Sequence, residues 1–249
     1  MLPSSLLILL VVGTGVPSSG ANEPTTLRLG FEREMVRLER VDLPIATRWK
    51  YYITEPRDVG KFVRRKDEYI QPSSDGEECR ILSHENYVTL SRLIDEDFSQ
   101  ARTLSWKWKV KKHPPGGTLG TEKNDQSMIV YAVFRIPKDV NQENYNYHAI
   151  GFCWTEKTVK EDERRNAELP WRRTQKATII HVSIQDGPEA DADRYVEESV
   201  DLDFYYRKYF PGGGRPDLWG ITLMGDSNDV VVFEKMTTDA TIRDIRIEK

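Results

Sequence analysis

Apolar and polar side chains alternate with period two along several stretches of this chain, a pattern that predicts half-buried β-strands. Leu104, Trp106, Trp108 and Val110 fall on one side of the clearest stretch, and Ser105, Lys107, Lys109 and Lys111 on the other. A helix would scatter these residues around its circumference, so the spacing predicts a strand with its tryptophans in the core. Met128 to Ile136 is apolar on both faces apart from Arg135, as a central strand covered on both sides would be. Further strands are predicted at Thr47–Ile53, Cys79–Ser83, Tyr87–Leu93, Tyr147–Thr155, Ala177–Gln185, Leu218–Met224, Val230–Phe233 and Thr241–Glu248.

Turn chemistry separates these segments at His113-Pro114-Pro115-Gly116-Gly117, Gln185-Asp186-Gly187-Pro188 and Pro211-Gly212-Gly213-Gly214. A single segment reads as helix, the aromatic-rich Leu202–Phe210, closed by Pro211 and the glycines after it. The stretch Glu156–Lys176 is dense in charge of both signs and contains Pro170-Trp171, so it reads as a long solvated loop with room for some helix. Many strands, one helix and no internal repeat predict a single all-β sandwich over residues 22–249.

The amino terminus reads differently. Met1 to Ala21 carries no charged side chain, and its run Leu6-Leu7-Ile8-Leu9-Leu10-Val11-Val12 gives way to small, turn-prone residues. Such a run is far shorter than the about 20 residues a spanning helix needs. It fits the apolar region of a secretory signal peptide cut before Asn22, with Ser19 and Ala21 as the small residues at the cut. The expectation is a secreted or periplasmic protein with no transmembrane anchor once residues 1–21 are removed. An oxidising compartment would allow Cys79 and Cys153 to pair, while the apolar run around Cys153 equally suits a buried free thiol.

Composition narrows the partners. The chain of 249 residues has 36 Lys and Arg against 40 Asp and Glu, a formal net charge of −4. That mild acidity argues against nucleic acid as a partner. With 10% aromatic residues the chain can bury a substantial core, so it is not a disordered segment.

The order of several segments resembles a known family. They are Leu104-Ser105-Trp106-Lys107-Trp108-Lys109-Val110, then Asn124-Asp125 leading into Ile129 to Phe134, and then Asp203-Phe204-Tyr205-Tyr206-Arg207-Lys208-Tyr209-Phe210. Gly220 to Asp226 and the closing Ala240 to Ile245 follow. Together they resemble the uncharacterised bacterial envelope family known as domain of unknown function 3047. Its members pair an "LSWRWRV"-like strand with an acidic turn, a "DYRRLF"-like helix and a last strand reading "GDI". The resemblance implies export and a jelly-roll-like antiparallel β-sandwich, similar in layout to many carbohydrate-binding modules, with no established activity. Asn124 stands where the family's acidic turn carries a first aspartate, which puts a metal role for that turn in doubt.

Catalytic motifs are missing: there is no GxSxG elbow, HExxH pair, Walker loop or CxxC. His84, His113, His148 and His181 are too scattered to define a zinc site by spacing. No cofactor is expected, although Asp125, Asp226, Asp229 and Asp244 in turns are calcium candidates. The acidic turn Glu189, Asp191 and Asp193 reads as solvated. Trp106 and Trp108 read as core, and Lys107 and Lys109 face the other way, where neighbouring strands would add Tyr131 or Trp154. A face of that kind, aromatic platforms among long polar side chains, would bind a glycan without catalysis. The alternative is a polysaccharide hydrolase or lyase using Asp125, His148 and His181, for which adjacent strands would have to bring the histidines together. A third reading is an envelope assembly or scaffold protein that binds an envelope component through an exposed apolar patch or an uncovered sheet edge.

Overall fold

The computed structural model describes residues 25–31, 49–54, 69–84, 86–121, 124–136, 146–159, 162–169, 172–187, 193–227 and 237–249. The strands in these segments begin with β1 (Thr26–Leu29), β2 (Lys50–Thr54), β3 (Ile70–Pro72), β4 (Glu78–His84) and β5 (Tyr87–Leu93). Next come β6 (Thr103–Lys112), β7 (Thr118–Leu119), β8 (Met128–Ile136), β9 (Asn146–Thr155), β10 (Lys157–Thr158) and β11 (Asp162–Leu169). The chain closes with β12 (Arg172–Asp186), β13 (Val196–Asp201), helix α1 (Leu202–Tyr209), β14 (Leu218–Asp226) and β15 (Thr237–Glu248). The signal-like residues 1–21 and the strand expected at Val230–Phe233 lie outside the described residues. Among the described residues no helix is long and apolar enough to cross a membrane.

Thirteen of these strands form the two sheets of a jelly-roll-like sandwich, and β7 and β10 form a separate two-stranded parallel pair. The six-stranded sheet runs β13-β6-β15-β4-β3, with β1 also on β15, and the seven-stranded sheet runs β11-β12-β9-β8-β14-β5-β2. Their inner faces share one core. Trp106 and Trp108 are buried from the first sheet, as the alternation predicts, and meet Phe152 and Trp154 of the second at ring separations of 5.8 and 5.4 Å. Strand β8 is central, flanked by β9 and β14, and buried on both faces as far as Phe134.

One expectation needs correction. The Glu156–Lys176 stretch is not a long loop, because Asp162–Leu169 is a strand that pairs antiparallel with β12. Its charge is the composition of an edge strand, where ionised side chains discourage further pairing. One parallel pair follows from that edge strand. The chain passes beyond β9 to lay down the edge strand and then turns back into the gap, so β12 runs parallel to β9. The other pairings of the seven-stranded sheet are antiparallel.

Helix α1 ends one residue earlier than predicted. The Asp201 side chain caps it by accepting from the Phe204 N–H at 2.9 Å, satisfying one of the orphan donors of the first turn. The helix covers one end of the sandwich: Leu202, Tyr206 and Phe210 are buried, and Tyr206 packs on Phe134 at 5.0 Å. Phe204 protrudes from it.

Candidate binding face

The outward face of the seven-stranded sheet carries a line of polar residues. Ser91, Thr222, Tyr131, Gly151 and His181 occupy one register line, one residue from each of β5, β14, β8, β9 and β12 in turn. Because side chains alternate across a strand, this line looks away from the tryptophan core. Apolar neighbours on the same face, among them Ile129, Val133, Ala149, Cys153 and Ile179, form a second cluster against which Trp219 and Met224 pack half-buried.

Two pairs along the line are hydrogen-bonded. Ser91 Oγ and Thr222 Oγ1 stand 2.8 Å apart. The Tyr131 phenol oxygen and His181 Nε2 are also 2.8 Å apart, and the phenol donates to Met224 Sδ at 3.6 Å. Gly151 makes the tyrosine's path available: a Cβ there would fall 2.6 Å from Tyr131 Cε1. Farther along the face Trp219 packs on Tyr147 with ring centroids 5.0 Å apart. Hydroxyls, an imidazole and an indole on one sheet face can hydrogen-bond and stack on a polyhydroxylated ligand.

The face proposed from the sequence is not assembled. Lys107 and Lys109 lie on the outer face of the opposite sheet, Tyr131 on the outer face of the seven-stranded sheet, and Trp154 between the sheets with no exposed surface. Trp154 follows Cys153 in the strand and so points inward, where its Nε1 donates to the Gly187 carbonyl at 3.3 Å. Lys107 forms ion pairs with Asp244 at 3.3 Å and Glu197 at 3.7 Å, and Lys109 sits 4.6 Å from the Tyr195 ring centroid.

The acid–base trio is dispersed as well. His148 and His181 belong to neighbouring strands but to opposite faces, because His148 stands in register with Thr178 and His181 with Gly151. His148 turns inward to Tyr206, its Nδ1 2.7 Å from the phenol oxygen, and stacks on Phe210 at 3.7 Å. Asp125 is buried just before β8, whereas Phe134 marks the register of His148 at the far end of that strand. At ~3.3 Å per residue the two ends are separated by about 20 Å, too far for one cleft.

The two thiols do not pair. Both are free and buried, Cys79 on the inner face of the six-stranded sheet and Cys153 on the outward face of the other. The calcium candidates do not gather as one set among the described residues. Asp226 donates its N–H to the Gln126 carbonyl at 3.1 Å beside Asp125, Asp244 pairs with Lys107 on the other sheet, and Asp229 lies outside the described residues. Glu189 and Asp191 lie outside them too, and Asp193 pairs with Lys111 at 3.6 Å. Among the described residues no three His, Cys, Asp or Glu side chains gather as metal ligands.

The end of the sandwich around Asp125 is a buried polar layer. Asn124, Asp125, Gln126 and Ser127 are all buried, and Ser127 Oγ lies 2.6 Å from His113 Nδ1. Burial holds the His113 imidazole below its ordinary titration range, partly opposed by Glu156. Nearby, Asp186 accepts from the hydroxyls of Ser183, Thr155 and Thr158. Burial pushes its carboxyl up, but the three hydroxyls outweigh that and hold it below the usual carboxylate value.

Ser91, Gly151, Thr222 and Trp219 were not singled out from the sequence. Gly151 within Ala149–Trp154 and Thr222 within Leu218–Met224 are the small or polar interruptions that a search for close approach inside apolar strands would flag.

The fold and this face define an all-β, two-sheet sandwich with a polar and aromatic line across its larger sheet. The chain belongs to the family described as protein of unknown function (DUF3047), whose model matches residues 58–246. No curated protein matches its sequence. Among solved structures it is similar to the family 11 carbohydrate-binding module of a cellulosomal cellulase of Clostridium thermocellum, with TM-score 0.38 and 10% identity over 90% of this chain and 94% of that one. The same module in complex with a β-1,3-1,4-mixed-linked tetrasaccharide gives TM-score 0.35 and 10% identity over 90% and 95%. The xyloglucanase domain of a type three effector from Sinorhizobium fredii gives 0.37 and 8% over 70% and 82%.

Proposed function

We propose that the chain is an exported glycan-binding protein whose ligand lies along the outward face of the seven-stranded sheet. The observation that carries this reading is the register line of Ser91, Thr222, Tyr131 and His181, with Trp219 on Tyr147 beside it. Paired hydroxyls suit the vicinal hydroxyls of a sugar, and an indole suits its C–H face. The apolar run before Asn22 supports export. The dispersal of Asp125, His148 and His181 favours binding over hydrolysis or lysis by that trio.

A second reading, a structural seam in an envelope scaffold, is favoured by how little of the line meets solvent: Tyr131 is 6% exposed and His181 7%. Thermal unfolding of the full chain with a panel of soluble glycans separates the two. A glycan at about 100 times its Kd stabilises by roughly 2.7 kcal/mol. The binding reading expects a glycan-specific rise that Trp219→Ala and Ser91→Ala each reduce and Lys109→Ala, on the opposite sheet, leaves intact. No rise with any glycan, or a rise equally lost in Lys109→Ala, overturns it.

A further inference from the structure

We propose that the outer face of the six-stranded sheet carries an oxyanion site, formed by Arg28, Arg246 and Ser105, for a phosphate-type group. The site is independent of the glycan face on the opposite sheet. Arg28 and Arg246 stand directly opposite each other in the β1–β15 ladder, and Arg246 is in turn opposite Ser105 of β6. Ser199 of β13 continues the same line beyond Ser105. Side chains opposite one another in such a ladder start about 5 Å apart at Cβ, so the two guanidiniums share one patch of surface.

Like charges at directly opposed positions destabilise a sheet unless something compensates them. Elsewhere on this face the protein supplies the compensation. Arg80 makes a two-point contact with Asp239, Lys107 meets Asp244 and Glu197, and Arg243 lies 3.9 Å from the Tyr195 ring centroid. Arg28 and Arg246 are the exception: among the described residues no carboxylate forms an ion pair with either. Glu248, two residues beyond Arg246, stands opposite Thr26 and Thr103 in the next row. The Nε of Arg246 is shielded from solvent and has no acceptor.

The backbone is bent to produce this arrangement. The β15–β6 register shifts between Arg243 and Arg246, and Asp244 inside the shift has a φ of 52°, the one positive value at a non-glycine among the described residues. The extra residue keeps Ile245 in the core and turns Arg246 outward beside Ser105. Without it, strict alternation would send Arg246 inward. A strained residue is thus spent on setting a second arginine against Arg28. Two guanidiniums with a hydroxyl beside them match the geometry and charge of a tetrahedral oxyanion, which accepts several charge-assisted hydrogen bonds at once.

The probe is inorganic phosphate, titrated into the full chain by calorimetry against chloride at matched ionic strength, with glucose 6-phosphate and glucose in parallel. The expected result is saturable phosphate binding that Arg246→Gln and Arg28→Gln each weaken at least tenfold. Arg207→Gln, the same charge change on the exposed side of α1, should leave it unchanged. Arg28 lies on a short strand with its side chain exposed, so Arg28→Gln keeps the test decisive if Arg246→Gln fails to fold. Tighter binding of glucose 6-phosphate than of phosphate would assign the site to a phosphorylated sugar, and equal binding to phosphate itself. No binding beyond the chloride control, or binding that survives Arg28→Gln together with Arg246→Gln, overturns the proposal.

Discussion

Tyr131 reaches His181 across Gly151: the phenol oxygen and Nε2 are 2.8 Å apart, and the strand between them offers no side chain to block the ring. Gly151→Ala would place a Cβ 2.6 Å from Tyr131 Cε1 and 2.9 Å from Ile129 Cγ2, so the ring must move and the hydrogen bond must lengthen or break. Overpacking of this kind costs about 1–3 kcal/mol, to which a broken bond adds about 1 kcal/mol. Urea unfolding should therefore show Gly151→Ala less stable than the parent chain. In a Tyr131→Ala background the same substitution should cost much less, because the ring it strikes is gone. Equal costs in both backgrounds would show that the tyrosine does not depend on the glycine.

His113 predicts an acid-sensitive step in stability. Burial depresses its pKa below the ordinary 6.5, so the folded chain holds the imidazole neutral while the unfolded chain protonates it. Its contribution is complete above pH 6.5 and is lost as the pH falls through the depressed folded value. Asp186 behaves alike at lower pH, contributing above its unfolded value of 3.8 and losing that contribution as the pH falls through its folded value. Denaturant unfolding at a series of pH values should show the first decline starting near pH 6.5. His113→Gln should flatten it and leave the more acidic decline in place. An unchanged profile in His113→Gln would assign the decline to other groups.

What could be read from the sequence follows from where the physics is local. Leu104 to Lys111 declared itself through alternation alone, because a half-buried strand records its two environments in its own residues. The helix at Leu202–Tyr209 was equally legible through its aromatic spacing and its proline stop. Asp162–Leu169 was not, since an edge strand protected by charge has the composition of a solvated loop. The binding line lies further out of reach. Seeing Ser91, Thr222, Tyr131 and His181 together requires knowing the pairing of five strands and their registers, two of whose ladders shift at Leu218/Gly220 and Ser183/Gln185. Trp154 and Tyr131 were both rightly placed in strands, yet one side points into the core and the other out. That is decided by tertiary pairing.

The thiols give a direct check on the packing of both faces. Cys79 is buried between the sheets, and desolvation pushes its pKa up to about 12, so at neutral pH it is a protonated, unreactive thiol. Cys153 is buried on the far side of the other sheet, its S–H directed to the Gly151 carbonyl at 3.4 Å. The native chain should resist a thiol reagent, and both cysteines should react after denaturation without a reductant. A tryptic peptide linking Cys79 to Cys153 under non-reducing conditions would contradict this arrangement.

Asp244 offers the most discriminating substitution series, because its backbone and its side chain pull in different directions. A φ of 52° costs an ordinary L-residue about 1–2 kcal/mol, a penalty that glycine escapes and asparagine tolerates better than alanine or valine. The carboxylate meanwhile pairs with Lys107 at 3.3 Å, a partly exposed contact worth at most about 1 kcal/mol. Asp244→Gly should therefore fall within about 1 kcal/mol of the parent, strain relief offsetting the lost ion pair. Asp244→Asn should lose the pairing alone, and Asp244→Val should lose both and be the least stable, by about 1–3 kcal/mol. Lys107→Ala removes this pairing and the one with Glu197 while keeping Asp244, so it sets an upper bound on the side-chain share. If Asp244→Val proved as stable as Asp244→Gly, the bulge would carry no strain. Arg246 would then owe its outward position to something other than the backbone at Asp244.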